Sequence, residues 1–205
     1  MKIAYDLHIH SALSPCADDD MTPNNIVNMS LIKGLELIAV TDHNSAGNIR
    51  SVCEAAKDRL LVLPGIEVAT VEEVHVLCYF PTVDLAEEMG GILKERITIK
   101  NKPEIFGHQY LMDKDDNIVG EEDSLLCSAA DIKIDELFRA VSDLNGRAVF
   151  AHIDRQGFSV ISNLGFIPEG LDVKTVEITD SADESFREKY AKYRTITSSD
   201  AHSLG

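Results

Sequence analysis

Six of the seven histidines in this chain lie at the ends of predicted β-strands. They occur at five places that are far apart in sequence, and acidic residues accompany most of them. The six are His8, His10, His43, His75, His152 and His202. Imidazoles and carboxylates gathered from distant strands are typical of sites that bind metal ions. We therefore expect one metal site at the face where these strand ends meet.

The spacing within these segments also favours metal binding. Side chains two positions apart on a strand point to the same face, so the rings of His8 and His10 can bind one cation. Asp200 and His202 repeat this spacing. Glu67 ends an apolar strand, where a buried carboxylate is costly unless a cation lies beside it. Together these residues predict a metal centre rather than isolated structural histidines.

Alternating strands and helices must position these side chains. The predicted strands cover residues 3–10, 35–41, 60–68, 71–80, 148–152, 173–178 and 195–199. The predicted helices cover residues 22–34, 46–58, 83–94, 132–144, 160–164 and 183–193. Such alternation implies parallel strands and right-handed crossovers. A barrel explains the convergence of the ligands better than an open sheet, because all strands of a barrel end at one face.

We predict a single domain over residues 1–205, with an insertion at about 97–128 that breaks the alternation. Residues 110–120 within it predict a hairpin that turns at 115–117. Two interpretations of the insertion stay open: it folds over the mouth of the site, or it is a solvated excursion. His108 lies in this segment, where it either reaches the pocket or remains an exposed loop residue.

The composition limits the classes of partner. No apolar run approaches the ~20 residues that cross a bilayer, and the first residues do not form a secretory signal. We therefore expect a cytoplasmic protein with no membrane partner. The formal net charge of −16 argues against an extended nucleic-acid-binding face, which needs a basic stripe. A small anionic phosphorylated substrate remains compatible, because local charge decides what enters a pocket.

The motifs resemble those of the polymerase and histidinol phosphatase (PHP) domain family over nearly the whole chain. The matching segments are Asp6-Leu7-His8-Ile9-His10, Thr41-Asp42-His43, Glu67 with His75 and later His152, and Asp200-Ala201-His202. The resemblance implies an α/β fold, a distorted (β/α)7 barrel, and metal-dependent phosphoesterase activity.

The same resemblance implies three divalent transition-metal ions, whether manganese, iron or zinc. One ion would take His8, His10, Glu67 and Asp200, and a third would take Glu67, His75 and His152. The second would take His43, His202 and a residue of the loop after the first histidine pair. That loop departs from the family pattern; Asp18 and Asp20 are the preferred candidates, Asp19 comes next and Cys16 last. Asp6 and Asp42 would fix the orientation of the rings.

The implied reaction is the attack of a metal-bound hydroxide on phosphorus. Glu67 and Asp200 would be catalytic through the metal ions that they hold. Arg155 either binds the phosphate or forms a surface salt bridge. Two other functions stay open: an amidohydrolase-like cleavage of C–N bonds, and a non-catalytic metal-binding module. A lysine at a strand end, which bridges metals in many amidohydrolases, has no counterpart here, and Glu67 fills that place.

Overall fold

The computed structural model describes residues 2–205, which form nine strands and seven helices. In chain order the elements are β1 (Tyr5–Ile9), α1 (Pro23–Ile32), β2 (Leu37–Val40), α2 (Ile49–Ala56), β3 (Leu61–Ala69), β4 (His75–Tyr79), α3 (Val83–Lys94), α4 (Pro103–Phe106), β5 (Tyr110–Met112), β6 (Ile118–Glu121), α5 (Ile134–Asp143), β7 (Arg147–Phe150), α6 (Val160–Leu164), β8 (Thr175–Glu177), α7 (Glu184–Lys189) and β9 (Arg194–Ile196).

Seven strands form one curled sheet in the order β1-β2-β3-β4-β7-β8-β9. The two edges meet where Ile9 pairs with Ala201, just beyond β9. The His10 amide donates to the Ala201 carbonyl at 2.9 Å across this seam. This arrangement confirms the predicted α/β class and the distorted (β/α)7 barrel.

One strand runs against the others. β4 pairs antiparallel with both β3 and β7, whereas the remaining neighbours in the sheet are parallel. The expectation that all strands are parallel is therefore wrong for β4. The turn between β3 and β4 is too short for a parallel crossover, which needs about a dozen residues. It is closed by hydrogen bonds between Thr70 and Val74. Reversal of β4 brings its first residue, His75, to the carboxyl ends of the other strands.

The barrel interior is filled by alternate residues of the strands. Leu77, Tyr79 and Val149 pack there with Ala39 and Ala151. Gly65 faces the same space, because a Cβ atom added to it would lie 2.7 Å from Thr41 Cγ2 and 3.2 Å from the Tyr79 ring. Glu67 is two residues further along β3 and so points to the same side. The period of the strand thus places this carboxylate at the mouth of the barrel.

Helices cover the outer face of the sheet. α1 begins as predicted, with the Thr22 hydroxyl accepting a hydrogen bond from the Asn25 amide and Pro23 in the first turn. Ile26 and Val27 of this helix pack with Val52 of α2 over the buried residues of β2. Within residues 2–205, no helix combines the length and the apolar character that a membrane span requires.

Residues 97–128 contain the short helix α4 and the β5–β6 hairpin, which turns close to the predicted positions. The Tyr110 amide donates to the Ala12 carbonyl at 2.9 Å, and the Asn44 side chain donates to the carbonyls of Leu126 and Ser128 at 2.8 Å. The segment therefore braces the loops that follow β1 and β2. It contributes no lining residue to the cavity at the histidine cluster.

Candidate metal centre

The strand ends deliver the six histidines to one place, together with two acidic residues. His8 and His10 come from β1, His43 follows β2, His75 opens β4, and His152 follows β7. Glu67 lies near the end of β3, and Asp200 and His202 lie beyond β9. Most of these side chains are buried, and His202 is the most open at 33% exposure.

Four side chains form the tightest group. The Nε2 atoms of His8 and His10 are 3.2 Å apart. Asp200 Oδ1 lies 3.1 Å from the first and 3.2 Å from the second. The Glu67 carboxylate lies 3.2 Å from His8 Nε2 and 3.3 Å from His10 Nε2. Ligand atoms bound at ~2.0–2.2 Å from one metal ion are spaced by similar amounts.

The proton of each ring in this group is directed away from the centre. His8 Nδ1 donates to the Glu177 carboxylate, with oxygens at 3.0 and 3.2 Å. His10 Nδ1 donates to the Ser14 hydroxyl at 3.0 Å. A neutral imidazole carries one N–H, so each Nε2 presents a lone pair. With both rings neutral, two lone pairs and two carboxylates face one another with no donor between them, and a cation, either a metal ion or a proton on a ring, satisfies this arrangement.

Ser14 shows how tightly the orientation is fixed. Its hydroxyl donates to Asp42 at 2.7 Å, which leaves its oxygen to accept from His10 Nδ1 and from the His43 amide at 3.1 Å. Asp42 also accepts from the amide and hydroxyl of Ser11 at 2.7 and 2.6 Å. Asp42 therefore acts on the His10 ring through Ser14.

Glu67 is the centre of a second group. His75 Nδ1 lies 2.9 Å and His152 Nε2 3.3 Å from its Oε1 atom, and His43 Nδ1 lies 3.1 Å from Oε2. One carboxylate thus faces the nitrogens of several strands. Within residues 2–205, the buried atoms His43 Nδ1 and Asp200 Oδ1 of this centre have no aligned hydrogen-bond partner. Unpaired buried polar atoms with this chemistry fit metal ligands.

His202 joins the centre through His10. Their rings stack with centroids 4.3 Å apart, and His202 Nδ1 donates to the Asp200 carbonyl at 2.8 Å. Three groups hold ligand atoms close enough together for one ion each: His8, His10 and Asp200; His10, His43 and His202; and His43, Glu67 and His75. These groups overlap with the three ligand sets that the family resemblance implies.

The electrostatics follow from the crowded charges. Burial alone would lower the pKa of His8, but the Glu67 and Glu177 carboxylates raise it well above 6.5. The pKa of His10 is raised for a similar reason, through Asp200 and Glu67, against the cost of burial. Burial dominates at His43, whose pKa falls to about 4. The surrounding rings hold the pKa of Glu67 well below its usual range despite complete burial.

The loop after β1 carries the four candidates for the remaining ligand of the second ion. Asp18, Asp19 and Asp20 are exposed, and none of them belongs to the three groups or lines the cavity. Cys16, the last-ranked candidate, is likewise exposed and outside the three groups, but it lines the cavity with His43 and His202. Two consecutive turns set the course of this loop. The Ala17 amide donates to the Ser14 carbonyl, and the Met21 amide donates to the Asp18 carbonyl.

Asp6 has a different contact from the predicted one. It accepts hydrogen bonds from the amide and hydroxyl of Ser199 and from the His8 amide at 3.3 Å. It therefore ties β1 to the segment that carries Asp200 and does not contact a ring. Arg155 lies at the rim, half exposed, and donates to Asp200 Oδ2. His108 is exposed on the insertion and pairs with Glu121 at 2.6 Å.

Glu177 is a site residue that the sequence reading missed. It is buried at the end of β8, where its carboxylate accepts hydrogen bonds from His8 Nδ1 and from the His152 amide, both at 3.0 Å. The available signal was its resemblance to Glu67, since both are carboxylates that end an apolar strand. Non-glycine residues with positive φ also cluster here: His152 at 28°, Phe158 at 54° and Asp200 at 53°. Such backbone strain concentrates at functional sites.

No protein-family model matches the sequence. An uncharacterized protein of Methanocaldococcus jannaschii is 34% identical over 90 residues, which are 44% of this chain and 11% of that protein. The structure of the lesion-specific endonuclease Q of Pyrococcus furiosus matches all of this chain and 50% of its own, with a TM-score of 0.76 and 19% identity. Endonuclease Q bound to a 27-mer duplex with an abasic lesion at its active site gives a TM-score of 0.75 at 20% identity, with the same coverage. This chain therefore spans half the length of those enzymes.

Two shorter proteins also share the fold over 98% of this chain and 88% of their own. One, from Bifidobacterium adolescentis, is assigned as a metal-dependent phosphoesterase, with a TM-score of 0.66 and 18% identity. The other is an amidohydrolase of Chromobacterium violaceum with bound sulfate, with a TM-score of 0.65 and 19% identity.

The endonuclease structures overturn one prediction. Net charge argued against extended nucleic-acid binding and left a small phosphorylated substrate as the expected partner, yet endonuclease Q, half of whose chain matches this fold, binds a DNA duplex. Net charge sums over a whole surface, whereas a nucleic acid contacts one part of it. The barrel, its strand order and the converging histidines together identify the chain as having the fold of PHP-type metal-dependent phosphoesterases.

Proposed function

We propose that this chain is a metal-dependent hydrolase of phosphoester bonds and that phosphodiesters of nucleic acids are its substrates. The observation that carries the proposal is the group of His8, His10, Glu67 and Asp200, whose ring nitrogens and carboxylate oxygens converge within 3.3 Å of one another. The endonuclease Q structures support the substrate class, because they match the whole of this chain.

We further propose three divalent transition-metal ions, of manganese, iron or zinc. His8, His10, Glu67 and Asp200 would hold one; His43 and His202, with Cys16 of the cavity wall as the loop ligand, a second; and Glu67, His75 and His152 a third. Bound divalent ions would supply an activated water at neutral pH and would stabilise charge on the phosphoryl oxygens. Histidine and carboxylate ligands suit all three metals, so the choice among them depends on metal analysis.

The residues of the chain have distinct parts in this proposal. Glu67 stands between the histidine groups and keeps the nitrogens of three strands at one centre. Glu177 and Ser14 hold the rings of His8 and His10 with their Nε2 lone pairs inward. Arg155 lies at the mouth, where its guanidinium could exchange one Asp200 oxygen for a phosphate oxygen. Ser14 and Glu177 thus act by orientation, and Arg155 by contact with substrate.

The test is hydrolysis with added Mn²⁺, Fe²⁺ or Zn²⁺. The substrates are bis-p-nitrophenyl phosphate, p-nitrophenyl phosphate, and labelled DNA duplexes with and without an abasic site. We expect cleavage of diesters and of DNA. Asp200→Asn should abolish this cleavage, because it removes the charge of the carboxylate that lies beside both His8 and His10 at the proposed metal position. Glu121→Gln, at an exposed residue outside the cavity, is the matched control and should retain activity.

The experiment can refute the proposal. A protein that binds metal but cleaves no phosphoester in this panel would sink it. A p-nitroanilide assayed beside the panel tests the C–N hydrolase alternative, which its hydrolysis without hydrolysis of phosphoesters would favour. Metal binding with neither reaction would favour the non-catalytic module.

A further inference from the structure

A cavity of about 450 Å³ opens beside the metal centre, and one large apolar side chain stands in its wall. This side chain is Phe158, in the loop between β7 and α6. Polar and titratable groups make up most of the remaining lining, which includes His43, His75, Arg155 and Asp200. A phosphate substrate accounts for the polar groups but gives no reason for an exposed phenyl ring.

Burial does not account for the position of Phe158. The residue is 54% exposed, so it gains little from removal of apolar surface from water. Its φ of 54° lies in the left-handed region, which is costly for a bulky side chain. Both features act against stability. A residue that is strained and exposed at a site is a candidate for a functional role.

The ring is held in a defined place. One face stacks on the His75 ring, with centroids 4.8 Å apart and planes at 24°. The Phe158 carbonyl accepts from the His75 amide at 2.8 Å. The Ser159 hydroxyl donates to the Arg155 carbonyl at 2.8 Å, and the Ser162 hydroxyl to the Gln156 carbonyl at 2.6 Å. These contacts hold the backbone from Arg155 to Phe158 in place, which lowers the entropy lost when a ligand binds.

The loop also presents two different surfaces to a substrate. Arg155 offers a planar cation for a phosphate, and Phe158, three residues later, offers an aromatic face beside the same metal centre. Aromatic faces stack on nucleobases, and this contact tolerates any base because each has a π-face. A nucleotide combines these two requirements, whereas a base-free phosphoester uses only one of them.

We propose that Phe158 is a stacking platform for the base of a nucleotide whose phosphate lies at the metal centre. This inference rests on the proposed function, since it assumes a nucleic-acid phosphodiester. It assigns Phe158 as a specificity-determining residue that discriminates base-bearing substrates from base-free ones.

The test compares two diesters with the same leaving group, thymidine 5′-(p-nitrophenyl phosphate) and methyl p-nitrophenyl phosphate. We expect Phe158→Leu to lower kcat/KM for the thymidine ester about 5- to 100-fold, mainly through KM, as expected for the loss of one base–aromatic stack. The methyl ester should be hydrolysed as by the unchanged protein. Phe158→Tyr should behave normally with both, because it keeps the ring. Metal content is measured in each variant.

Binding of thymidine 5′-monophosphate and of methyl phosphate, measured calorimetrically, separates this inference from the proposed function. If the protein hydrolyses neither diester but Phe158→Leu selectively weakens nucleotide binding, the proposed function fails and the platform stands. If the protein hydrolyses the diesters and Phe158→Leu lowers activity on both equally, or lowers metal content, Phe158 only supports His75 and the inference is overturned. Unchanged values for the thymidine ester overturn it as well.

Discussion

Glu177→Gln should weaken metal binding even though Glu177 is not a proposed metal ligand. Its carboxylate contacts His8 through Nδ1, the ring nitrogen that points away from the metal centre. The two oxygens of the buried carboxylate lie 3.0 and 3.2 Å from His8 Nδ1, which donates to them. The carboxylate also accepts a hydrogen bond from the His152 amide at 3.0 Å. Both N–H groups lie closest to Oε2, so a glutamine that places its oxygen there still accepts from both. The change nevertheless removes the negative charge and puts an NH₂ group in place of Oε1, 3.2 Å from His8 Nδ1. Either two donors then face each other, or His8 moves its proton to Nε2, where a metal would bind.

The size of the effect follows from these contacts. A hydrogen bond to a charged group contributes about 1.5–3 kcal/mol, and an unsatisfied buried donor costs about 1–3 kcal/mol. Orienting partners of metal-bound histidines typically change metal affinity about 10- to 100-fold. We therefore expect Glu177→Gln to bind its tightest metal ion about 10- to 100-fold more weakly.

The assay is a competition titration of metal-free protein against a chromophoric chelator, with thermal unfolding of the metal-free variant measured in parallel. Glu121→Gln is the control, because Glu121 pairs with His108 at the surface and should leave metal affinity unchanged. A Glu177→Gln protein that folds normally and binds metal within about twofold of the original would refute the reasoning on ring orientation.

Three further predictions concern stability and pH. Gly65→Ala should lower the free energy of unfolding by about 1–3 kcal/mol, because the new Cβ would meet Thr41 and Tyr79 inside the barrel. Gly91→Ala, at an open position of α3, should instead raise it by about 0.5–1 kcal/mol, and equal effects of the two in chemical denaturation would contradict the packing argument. Metal-free protein should lose stability as pH rises above 6.5: the raised pKa values of His8 and His10 contribute stability that is complete below 6.5 and is lost as pH rises through the folded-state values. Metal affinity should rise over the same range because binding displaces these protons, and a pH-independent affinity would contradict this coupling.

The sequence predicted much of the site because its signals were local. The spacing of His8 and His10 on one strand, and the apolar segments before His43 and His152, were enough to bring these residues together. The helix start at Thr22 also followed from one capping residue and one proline.

Features that depend on distant contacts were harder to predict. The reversal of β4 was visible only in the length of its turn, because periodicity within a strand does not encode direction. Glu177 lies far in sequence from His8, its partner in space. Asp18 and Asp20 had suitable chemistry, but the turns of their loop, which no single residue signals, leave them exposed.

The seam of the barrel has a consequence for the order of folding. The β3–β4 hairpin brings Glu67 and His75 together through contacts local in sequence, whereas Leu7 reaches Ser198 across 191 residues. Local pairings close fast, and pairings of high contact order come late because their loops cost more entropy. We expect the β3–β4 half of the metal centre to mature before the half that joins β1 to Asp200. Time-resolved metal uptake during refolding would then show two stages, of which the slower reports closure of the barrel.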